Sequence, residues 1–242
     1  MNTEQHKIIV SGLSVEIVRK NIKNLHLGVY PPAGRVRVAA PLRVSNEAVR
    51  LAVVGKLGWI KRQQARFEQQ PRQSAREMVS GESHYFSGQR YRLRVHVAEG
   101  PATVVVNNNS IIELHVRLGA RLETRQRLMM SWYRQYLKDT IPVLLDKWQN
   151  RLGVSVSAWG IKKMKTKWGT CNAEAGRIWI NLELAKKSGD CLEYVVVHEL
   201  VHLITKRHDE KFMKTMDEFL PRWRALRQEL NGTPLAHEAW RE

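Results

Sequence analysis

The residues between His198 and His208 have the types and the spacing of metal ligands. Residues 198–202 read H-E-x-x-H, and His208 follows six positions after His202. Because residues four apart share one face of an α-helix, His198 and His202 can direct their imidazoles at one point. Glu199, the next residue after His198, would lie beside a water molecule bound there. Neutral imidazoles with an adjacent carboxylate are typical of a catalytic zinc ion that keeps one open position.

The third histidine can join the other two only if the helix ends between them. In an uninterrupted helix, His208 would point about 120° away from His202. The segment 205–207 is the expected exit, because a β-branched residue followed by basic side chains suits a helix C-terminus. Asp209 is then expected to cap a new helix that begins at Glu210.

The competing interpretation is that these residues share a helix by chance. The chain has nine histidines, so a random H-E-x-x-H motif is rare, and a third histidine nearby makes chance less favoured still. The surrounding helix is apolar, at Leu192, Val195, Val196, Leu200 and Leu203. We therefore predict a catalytic metal ion held by His198, His202 and His208. A purely structural metal ion, or no metal ion, is the alternative.

Composition indicates a globular protein with an affinity for acidic partners. The chain has 242 residues, of which 43% are hydrophobic, enough for one large domain or two small ones. Its formal net charge is +17, which favours nucleic acid, phosphorylated metabolites or an anionic surface. Basic clusters lie at 61–62, 121–127, 162–167 and 222–227. A run of charge is more often a solvated face than a binding site, so a protein or peptide substrate ranks above nucleic acid or a nucleotide as the expected partner.

The spacing of the cysteines and the lengths of the apolar segments indicate the expected cellular compartment. Cys171 and Cys191 lack C-x-x-C spacing, so neither a zinc knuckle nor a disulfide framework is predicted. The N-terminal residues lack the basic and apolar regions of a signal peptide. The sequence has no run of about 18 apolar residues, so no membrane contact is expected. We expect a protein of the reducing cytoplasm.

Apolar periodicity predicts an α+β protein in three parts. A β-rich N-terminal region (1–118) would precede a small catalytic domain (119–232) and a tail (233–242). The first part should contain one helix, capped by Ser45 and running to about Gln70. Turns are expected at 31–34 and 107–109, and a linker at 71–83. Its strands are expected at 15–17, 25–29, 35–38, 85–86, 91–97, 103–106 and 111–116.

The second part should be mostly helical. One long helix is expected, with a kink or break at Pro142. The H-E-x-x-H helix should begin at about Cys191. The strand that begins at Ile178 has two interpretations, a core strand or a strand that pairs with an extended substrate. The expected helices are 122–152, the H-E-x-x-H helix, 210–220 and 222–230, and the expected strands are 154–158 and 178–182.

Several further motifs resemble one protein family. Residues 167–171 read K-W-G-T-C, residues 178–182 are an expected strand, and residues 194–203 contain the H-E-x-x-H motif, followed by His208 and Phe212. In this order they resemble the YgjP-like metallopeptidase family, a relative of the SprT-like zinc proteins. The resemblance continues upstream through the segments 35–41, 56–60, 81–82 and 88–91. It covers nearly the whole chain to about residue 230.

This resemblance implies a small zincin-like catalytic domain behind a β-rich N-terminal region. It also implies that the three histidines hold zinc and that Glu199 is the catalytic carboxylate. The chain has Thr170 where the family often has serine in a W-G-S-C motif, a change that preserves the hydroxyl group. The metzincin pattern has the same histidine spacing, with a glycine at the position of Thr205.

Three functions are compatible with these residues. The leading hypothesis is zinc-dependent peptide hydrolysis, in which Glu199 accepts the proton of a zinc-activated water and passes it to the leaving amine. The second is a metal-dependent nucleoside triphosphate pyrophosphatase, which the basic surface would favour although the chain has no P-loop. The third is a basic nucleic-acid-associated protein with structural zinc, although structural zinc usually has four protein ligands. A peptidase recruited to DNA would combine the first and the third. Trp168, Thr170 and Asn181 are close in sequence, and none is assigned to stabilise an oxyanion.

Overall fold

The computed structural model describes residues 5–30, 34–69, 76–107, 110–164 and 167–232. The chain divides into two compact units, Met1–Arg72 and Gln73–Glu242. The expected turns at 31–34 and 107–109 and the expected linker lie partly outside the described residues, and the expected tail lies wholly outside them. No helix in the described segments is long and apolar enough to cross a membrane.

The first unit is built on a four-stranded sheet. Its strands are β1 (Gln5–Val10), β2 (Leu13–Lys20), β3 (His26–Tyr30) and β4 (Arg35–Pro41). The strand order is β1-β2-β4-β3, in which β2 and β4 are parallel and the two outer pairs are antiparallel. The β-branched residues of β2 and β4 contribute to an apolar core formed by Val10, Val15, Ile17, Val36, Val38, Ala40, Val49, Val53 and Ile60.

The single helix predicted for this region is two helices, α1 (Asn46–Val54) and α2 (Leu57–Gln69). Ser45 is confirmed as the N-cap of α1, because its hydroxyl accepts a hydrogen bond from the amide of Ala48 at 3.1 Å. The first helix ends at Gly55, its C-cap, since glycine is costly to hold inside a helix. The apolar pattern continues across this interruption, so periodicity alone predicted one helix.

The second unit begins with another four-stranded sheet. Its strands are β5 (Ser83–Phe86), β6 (Gln89–Val97), β7 (Thr103–Asn107) and β8 (Ile111–Val116). The strand order is β5-β6-β8-β7, with β6 and β8 parallel and the other pairs antiparallel. Alternation along the strands places Leu93, Ile112 and Leu114 in the apolar core. The residues between them therefore lie on the opposite face of the sheet.

One long helix, α3 (Leu122–Leu152), packs against this sheet. Its bounds match the prediction, but the helix does not break at Pro142. Pro142 is exposed, so water can solvate the carbonyl that loses its helical partner. Leu137, Ile141 and Leu145 are buried, and their packing holds the turns on both sides of the proline.

The rest of the second unit carries the H-E-x-x-H motif. It contains β9 (Ala158–Lys162), β10 (Gly169–Asn172), β11 (Arg177–Asn181), a 3₁₀-helix (Leu182–Lys186), α4 (Gly189–Val201), α5 (Glu210–Phe219) and α6 (Trp223–Gly232). The three strands form a second sheet in the order β10-β11-β9. Helix α4 packs against α3, α5, α6 and β10. The helix with the motif therefore lies at the centre of the unit.

The fold class is α+β, as predicted, with β-strands dominating the N-terminal half and helices the C-terminal half. The expected boundary after residue 118 falls inside the second unit. Leu93 and Ile112 of the β5–β8 sheet share one apolar cluster with Met129 and Tyr133 of α3. Because this core is continuous, the β5–β8 sheet is part of the same unit as the helices that follow it.

Candidate metal centre

Helix α4 carries His198 and Glu199 near its C-terminal end. Its N-terminus is capped by Ser188, whose hydroxyl accepts a hydrogen bond from the amide of Cys191 at 3.3 Å. Its apolar residues are buried on nearly all sides, so packing fixes the position of the helix. Glu199 is buried with them, at 5% exposure, and His198 is half-buried.

The chain leaves α4 at His202, the C-cap. This residue keeps helical backbone angles, φ −66° and ψ −15°, so its side chain still points as it would on the helix. Asp209 then caps α5, and its carboxylate accepts a hydrogen bond from the amide of Phe212 at 3.0 Å. The predicted interruption and the new helix at Glu210 are both confirmed. The helix ends slightly before the expected exit at 205–207.

This interruption brings the three predicted ligands together. The Nε2 atom of His208 lies 3.0 Å from Nε2 of His198 and 3.1 Å from Nε2 of His202. Nitrogen ligands bound tetrahedrally at 2.0–2.1 Å are about 3.3 Å apart, so the set fits a divalent ion of that size after small adjustments. The carboxylate of Glu199 is not among the ligand atoms grouped within 4.8 Å, so the group consists of three imidazole nitrogens.

Thr205 fixes the orientation of His202. The Nδ1 atom of His202 donates a hydrogen bond to the Thr205 carbonyl at 3.1 Å, which leaves the lone pair on Nε2 facing the other two rings. The Thr205 hydroxyl donates to the Asp209 carboxylate at 3.3 Å, so the same residue is tied to the cap of α5. Thr205 is not among the described residues with positive φ. This turn therefore does not require a glycine.

Phe212 packs against all three imidazoles. Its ring centroid lies 4.9 Å from that of His198, 5.0 Å from that of His202 and 4.7 Å from that of His208. The side chain is buried, at 2% exposure. Because Phe212 lies in the first turn of α5, the cap of that helix also positions it. One aromatic side chain thus supports the spacing of the whole ligand set.

We expect Phe212→Leu to weaken metal binding although every ligand remains. Removing a side chain that supports metal ligands typically lowers affinity by about 10- to 100-fold. Competition with a chromophoric chelator measures this change. Phe219→Leu is the matched control, because Phe219 is on the same helix and packs against the core away from the histidine rings. An equal loss in both variants would assign the effect to a weakened α5.

Glu199 lies against the backbone of strand β10. A Cβ atom at Gly169 would lie 2.5 Å from Oε1 of Glu199 and 2.7 Å from its Cγ, so a glycine leaves room for the carboxylate. Burial raises the pKa of the Glu199 carboxyl to about 8, and the positive charge of Lys167 opposes this shift. A carboxyl with a pKa near neutrality is suited both to accept and to release a proton.

Burial also favours the neutral form of the imidazoles. It lowers the pKa of His198 to about 3, and the charges of His202, His208 and Arg227 act in the same direction. The pKa of His208 is lowered by burial and by the charges of His202 and Arg227. Neutral rings present the lone pairs that a metal ion requires.

Asn181, the last residue of β11, holds the segment that leads into β10. Its fully buried amide donates to the carbonyls of Met164 at 2.8 Å and Lys167 at 2.7 Å, and accepts from the amides of Met164 and Glu183, both at 3.2 Å. These four bonds use its whole hydrogen-bonding capacity, so none is left for a substrate oxyanion. Its effect on the site is indirect, since this segment positions Lys167 and Gly169.

Asn181→Ala should destabilise the second unit. The substitution leaves the buried amide of Glu183 and the backbone groups of Met164 and Lys167 without these partners, and we expect the free energy of unfolding to fall by about 2–4 kcal/mol. Urea denaturation followed by circular dichroism measures this loss. Asn172→Ala is the control, because Asn172 is exposed and its side chain accepts a single bond, from the Ala175 amide. Equal losses in the two variants would contradict the assigned role.

Cys171 lies near Glu199 without joining the cluster of three histidines. Burial raises the pKa of its thiol to about 11, and the charge of Glu199 adds to this shift. The ligand atoms grouped around His208 belong to histidines alone. Among the described residues, this centre therefore lacks the thiolate ligands that structural zinc sites often have.

The strand edge next to the site belongs to β10 rather than β11. Strand β11 lies between β10 and β9, so both of its edges are already paired. The hypothesis that the strand from Ile178 pairs with an extended substrate is therefore wrong, and its alternative, a core strand, is right. Among the described strands β10 pairs only with β11, and its first residue, Gly169, contacts Glu199.

Sequence reasoning assigned no supporting role to the residues that support the site, although the family resemblance included Gly169 and Phe212. Gly169 had a signal, because a glycine inside a strand often marks a close approach by other atoms. Phe212 had a weaker one, as an apolar residue in the first turn after a capping aspartate. The contacts of Thr205 and Asn181 depend on how the chain folds back, and no local pattern indicates them.

Two solved structures are similar to part of this chain. The metallopeptidase zymogen abylysin of Pyrococcus abyssi is 20% identical and has a TM-score of 0.35, with 37% of this chain and 90% of that chain covered. The metallopeptidase zymogen jannalysin of Methanocaldococcus jannaschii is also 20% identical and has a TM-score of 0.32, with 39% and 92% covered. No curated protein matches the chain significantly.

A family model matches most of the sequence. The model described as YgjP-like, metallopeptidase domain spans residues 23–233. This span includes the three histidines, Glu199 and the supporting residues Gly169, Asn181, Thr205 and Phe212. The chain therefore belongs to the YgjP-like metallopeptidase family.

Proposed function

We propose that this protein is a zinc-dependent peptidase that uses Glu199 as its general base. The main support is the convergence of three Nε2 atoms, with that of His208 within 3.1 Å of the other two. The helix that carries His198 also carries the buried carboxylate of Glu199. Membership in a metallopeptidase family supports a metal-dependent hydrolase. Zinc is favoured over other divalent ions because three protein ligands with an open fourth position are typical of catalytic zinc.

The protein residues have separate roles in this mechanism. His198, His202 and His208 would hold the ion, which supplies Lewis acidity that activates water and polarises a carbonyl. Glu199 would accept a proton from the attacking water and transfer it to the nitrogen of the leaving amine. Gly169 leaves the space that this carboxylate occupies. Phe212 and Thr205 keep the imidazoles oriented.

An extended peptide is the substrate that the surroundings of the site favour. The second edge of β10 is unpaired among the described strands, and an extended peptide can add to such an edge through main-chain hydrogen bonds. Because Gly169 on β10 contacts Glu199, a peptide on this edge would pass close to the general base. This position favours a peptide over a nucleotide.

The compartment and the other partners are part of the same proposal. Cys171 and Cys191 are both free thiols, which supports the reducing cytoplasm. The net charge of +17 supports an additional contact with nucleic acid or a nucleotide. Such a contact would recruit the peptidase to its substrate.

Removing the metal ion should abolish hydrolysis. The purified protein would be assayed for zinc content and for cleavage of unstructured proteins, before and after chelation and after Zn²⁺ is restored. We expect activity to disappear with the ion and to return with it. His202→Ala should lose both the ion and the activity, and His26→Ala, which removes an exposed histidine of β3, should lose neither. Full cleavage by His202→Ala would refute the proposal.

The same screen separates the alternative functions. Nucleoside triphosphates belong in it, because release of pyrophosphate without protein cleavage would indicate a pyrophosphatase. If the protein keeps its zinc, hydrolyses neither class and binds DNA in a salt-sensitive manner, it is a nucleic-acid-associated protein with structural zinc. Cleavage that increases with DNA would indicate a DNA-recruited peptidase.

A further inference from the structure

A second group of metal-ligating side chains lies on the β5–β8 sheet. His96 on β6 and His115 on β8 are directly paired across these parallel strands. Glu113 lies two residues before His115, on the same face of β8. The ligand atoms of these three side chains lie within 4.8 Å of one another. All three residues are half-buried, on the face opposite the apolar core.

The strand register explains this juxtaposition. A cross-strand pair and a residue two positions along one strand are the nearest neighbours on one face of a sheet. The rings of His96 and His115 are stacked, with centroids 4.8 Å apart and an interplanar angle of 13°. The two ring planes are therefore nearly parallel, and one nitrogen of each ring lies within 4.8 Å of a carboxylate oxygen of Glu113.

The polar contacts around the group leave ligand atoms free. The Nε2 atom of His96 is buried and has no hydrogen-bond partner among the described residues. One oxygen of Glu113, Oε1, accepts a hydrogen bond from the side chain of Asn107 at 3.3 Å and lies 4.0 Å from Arg94. The other oxygen, Oε2, faces Nε2 of His115 at 3.6 Å. A buried imidazole nitrogen without a partner is uncommon in a folded protein.

We propose that His96, Glu113 and His115 form a second site for a divalent transition-metal ion. Two imidazoles and a carboxylate suit Zn²⁺, Ni²⁺ or Cu²⁺ rather than Mg²⁺ or Ca²⁺, which prefer oxygen ligands. An ion at this position gives His96 Nε2 a bonding partner and links β6 to β8. Small rotations of the side chains bring the ligand atoms to the spacing of about 3.3 Å found around tetrahedral zinc. This site does not depend on the proposed peptidase activity.

The number of bound zinc ions tests the second site directly. Equilibrium dialysis against Zn²⁺, followed by elemental analysis, would compare the wild-type protein with variants that lack one or both sites. We expect the wild-type chain to bind two ions. H115A and the double variant H198A/H202A should each bind one ion, and the triple variant H198A/H202A/H115A should bind none. Adding H26A to H198A/H202A should leave one ion bound, because His26 belongs to neither site. Mg²⁺ should not displace the second ion.

Two further variants probe the carboxylate and its neighbour. Glu113→Gln should lower the affinity of the second site for its ion by at least about tenfold, because it removes the charged ligand. Arg94→Gln should raise this affinity, since the guanidinium of Arg94 competes with the ion for the carboxylate of Glu113. Thermal unfolding gives an independent measurement: Zn²⁺ should raise the Tm of H198A/H202A and should leave the Tm of H198A/H202A/H115A unchanged.

Three outcomes would overturn the second site. The first is that the wild-type protein and H115A each bind a single ion. This comparison does not depend on whether the double variant folds. The second is a folded H198A/H202A variant that binds no zinc. The third is one ion retained by the triple variant. None of these outcomes bears on peptidase activity, so failure here is distinguishable from failure of the proposed function.

Discussion

Glu199→Gln is expected to lower the rate of peptide hydrolysis by about 100- to 10,000-fold and to leave the zinc content unchanged. The amide has nearly the shape of the carboxylate, so the space beside Gly169 remains filled, but it cannot accept a proton from water. Since burial disfavours the charged carboxylate, the free energy of unfolding should not fall. Rates of cleavage of a fluorogenic peptide, together with elemental analysis, measure both effects.

Glu193→Gln is the matched control for this substitution. Glu193 lies on the same helix, and its carboxylate accepts hydrogen bonds from Lys147 at 2.6 Å and from the indole of Trp148 at 2.7 Å. Its loss should affect stability and leave the rate of hydrolysis close to that of the wild-type protein. If Glu199→Gln retains zinc and full activity, Glu199 is not the general base.

Gly169→Ala should reduce hydrolysis by about 100-fold through displacement of Glu199. The new Cβ atom would lie 2.5 to 2.8 Å from three atoms of the Glu199 side chain, which is closer than such contacts allow. Because that side chain is 5% exposed, it has little room to move aside. The metal content should be unaffected, since no histidine is displaced. Steady-state kinetics should show the loss mainly in kcat.

Two comparisons isolate the cause of that loss. Gly189→Ala introduces the same methyl group on α4, where no atom lies within 4 Å of the new Cβ, and it should be nearly silent. The double variant G169A/E199Q should be about as active as E199Q alone, because both changes act through one carboxylate. Additive losses in the double variant would indicate that Gly169 acts through another part of the site.

The convergence of the three histidines was predictable because its geometry is local. A spacing of four residues fixes the relation of His198 to His202 on one helix. The position of His208 required a break in that helix, and the capping preference of Asp209 indicated where the next helix begins. The structure confirms both the interruption and the cap. Short-range rules were sufficient for the three histidines to be found.

The support for the site was not predictable from local patterns. Gly169 and Asn181 act through contacts with segments far away in sequence, Glu199 for the first and Met164 for the second. The apolar pattern likewise shows which face of a strand or helix is buried, but not which partner covers it. For this reason the β5–β8 sheet was grouped with the N-terminal strands, although its core is shared with α3.

Local breaks in helices were predicted with mixed success for a physical reason. Gly55 ends a helix that periodicity alone would continue, whereas α3 continues through Pro142, where a break or kink was expected. In the second case buried leucine and isoleucine side chains on both sides of the proline outweigh one lost hydrogen bond. Packing energy, which depends on the tertiary structure, decides between the two results.

The turn between His202 and Asp209 has a fixed number of residues because both of its ends are held in place. Its first residue is a proposed metal ligand and its last is a helix cap, and the carbonyl and hydroxyl of Thr205 are hydrogen-bonded to the first and the last, respectively. An added or deleted residue would move His208 away from the other two histidines, so homologues should differ in length at loops such as 97–103, which connects β6 to β7, and not here. A relative with an altered count in this turn would need to recruit its third donor from elsewhere.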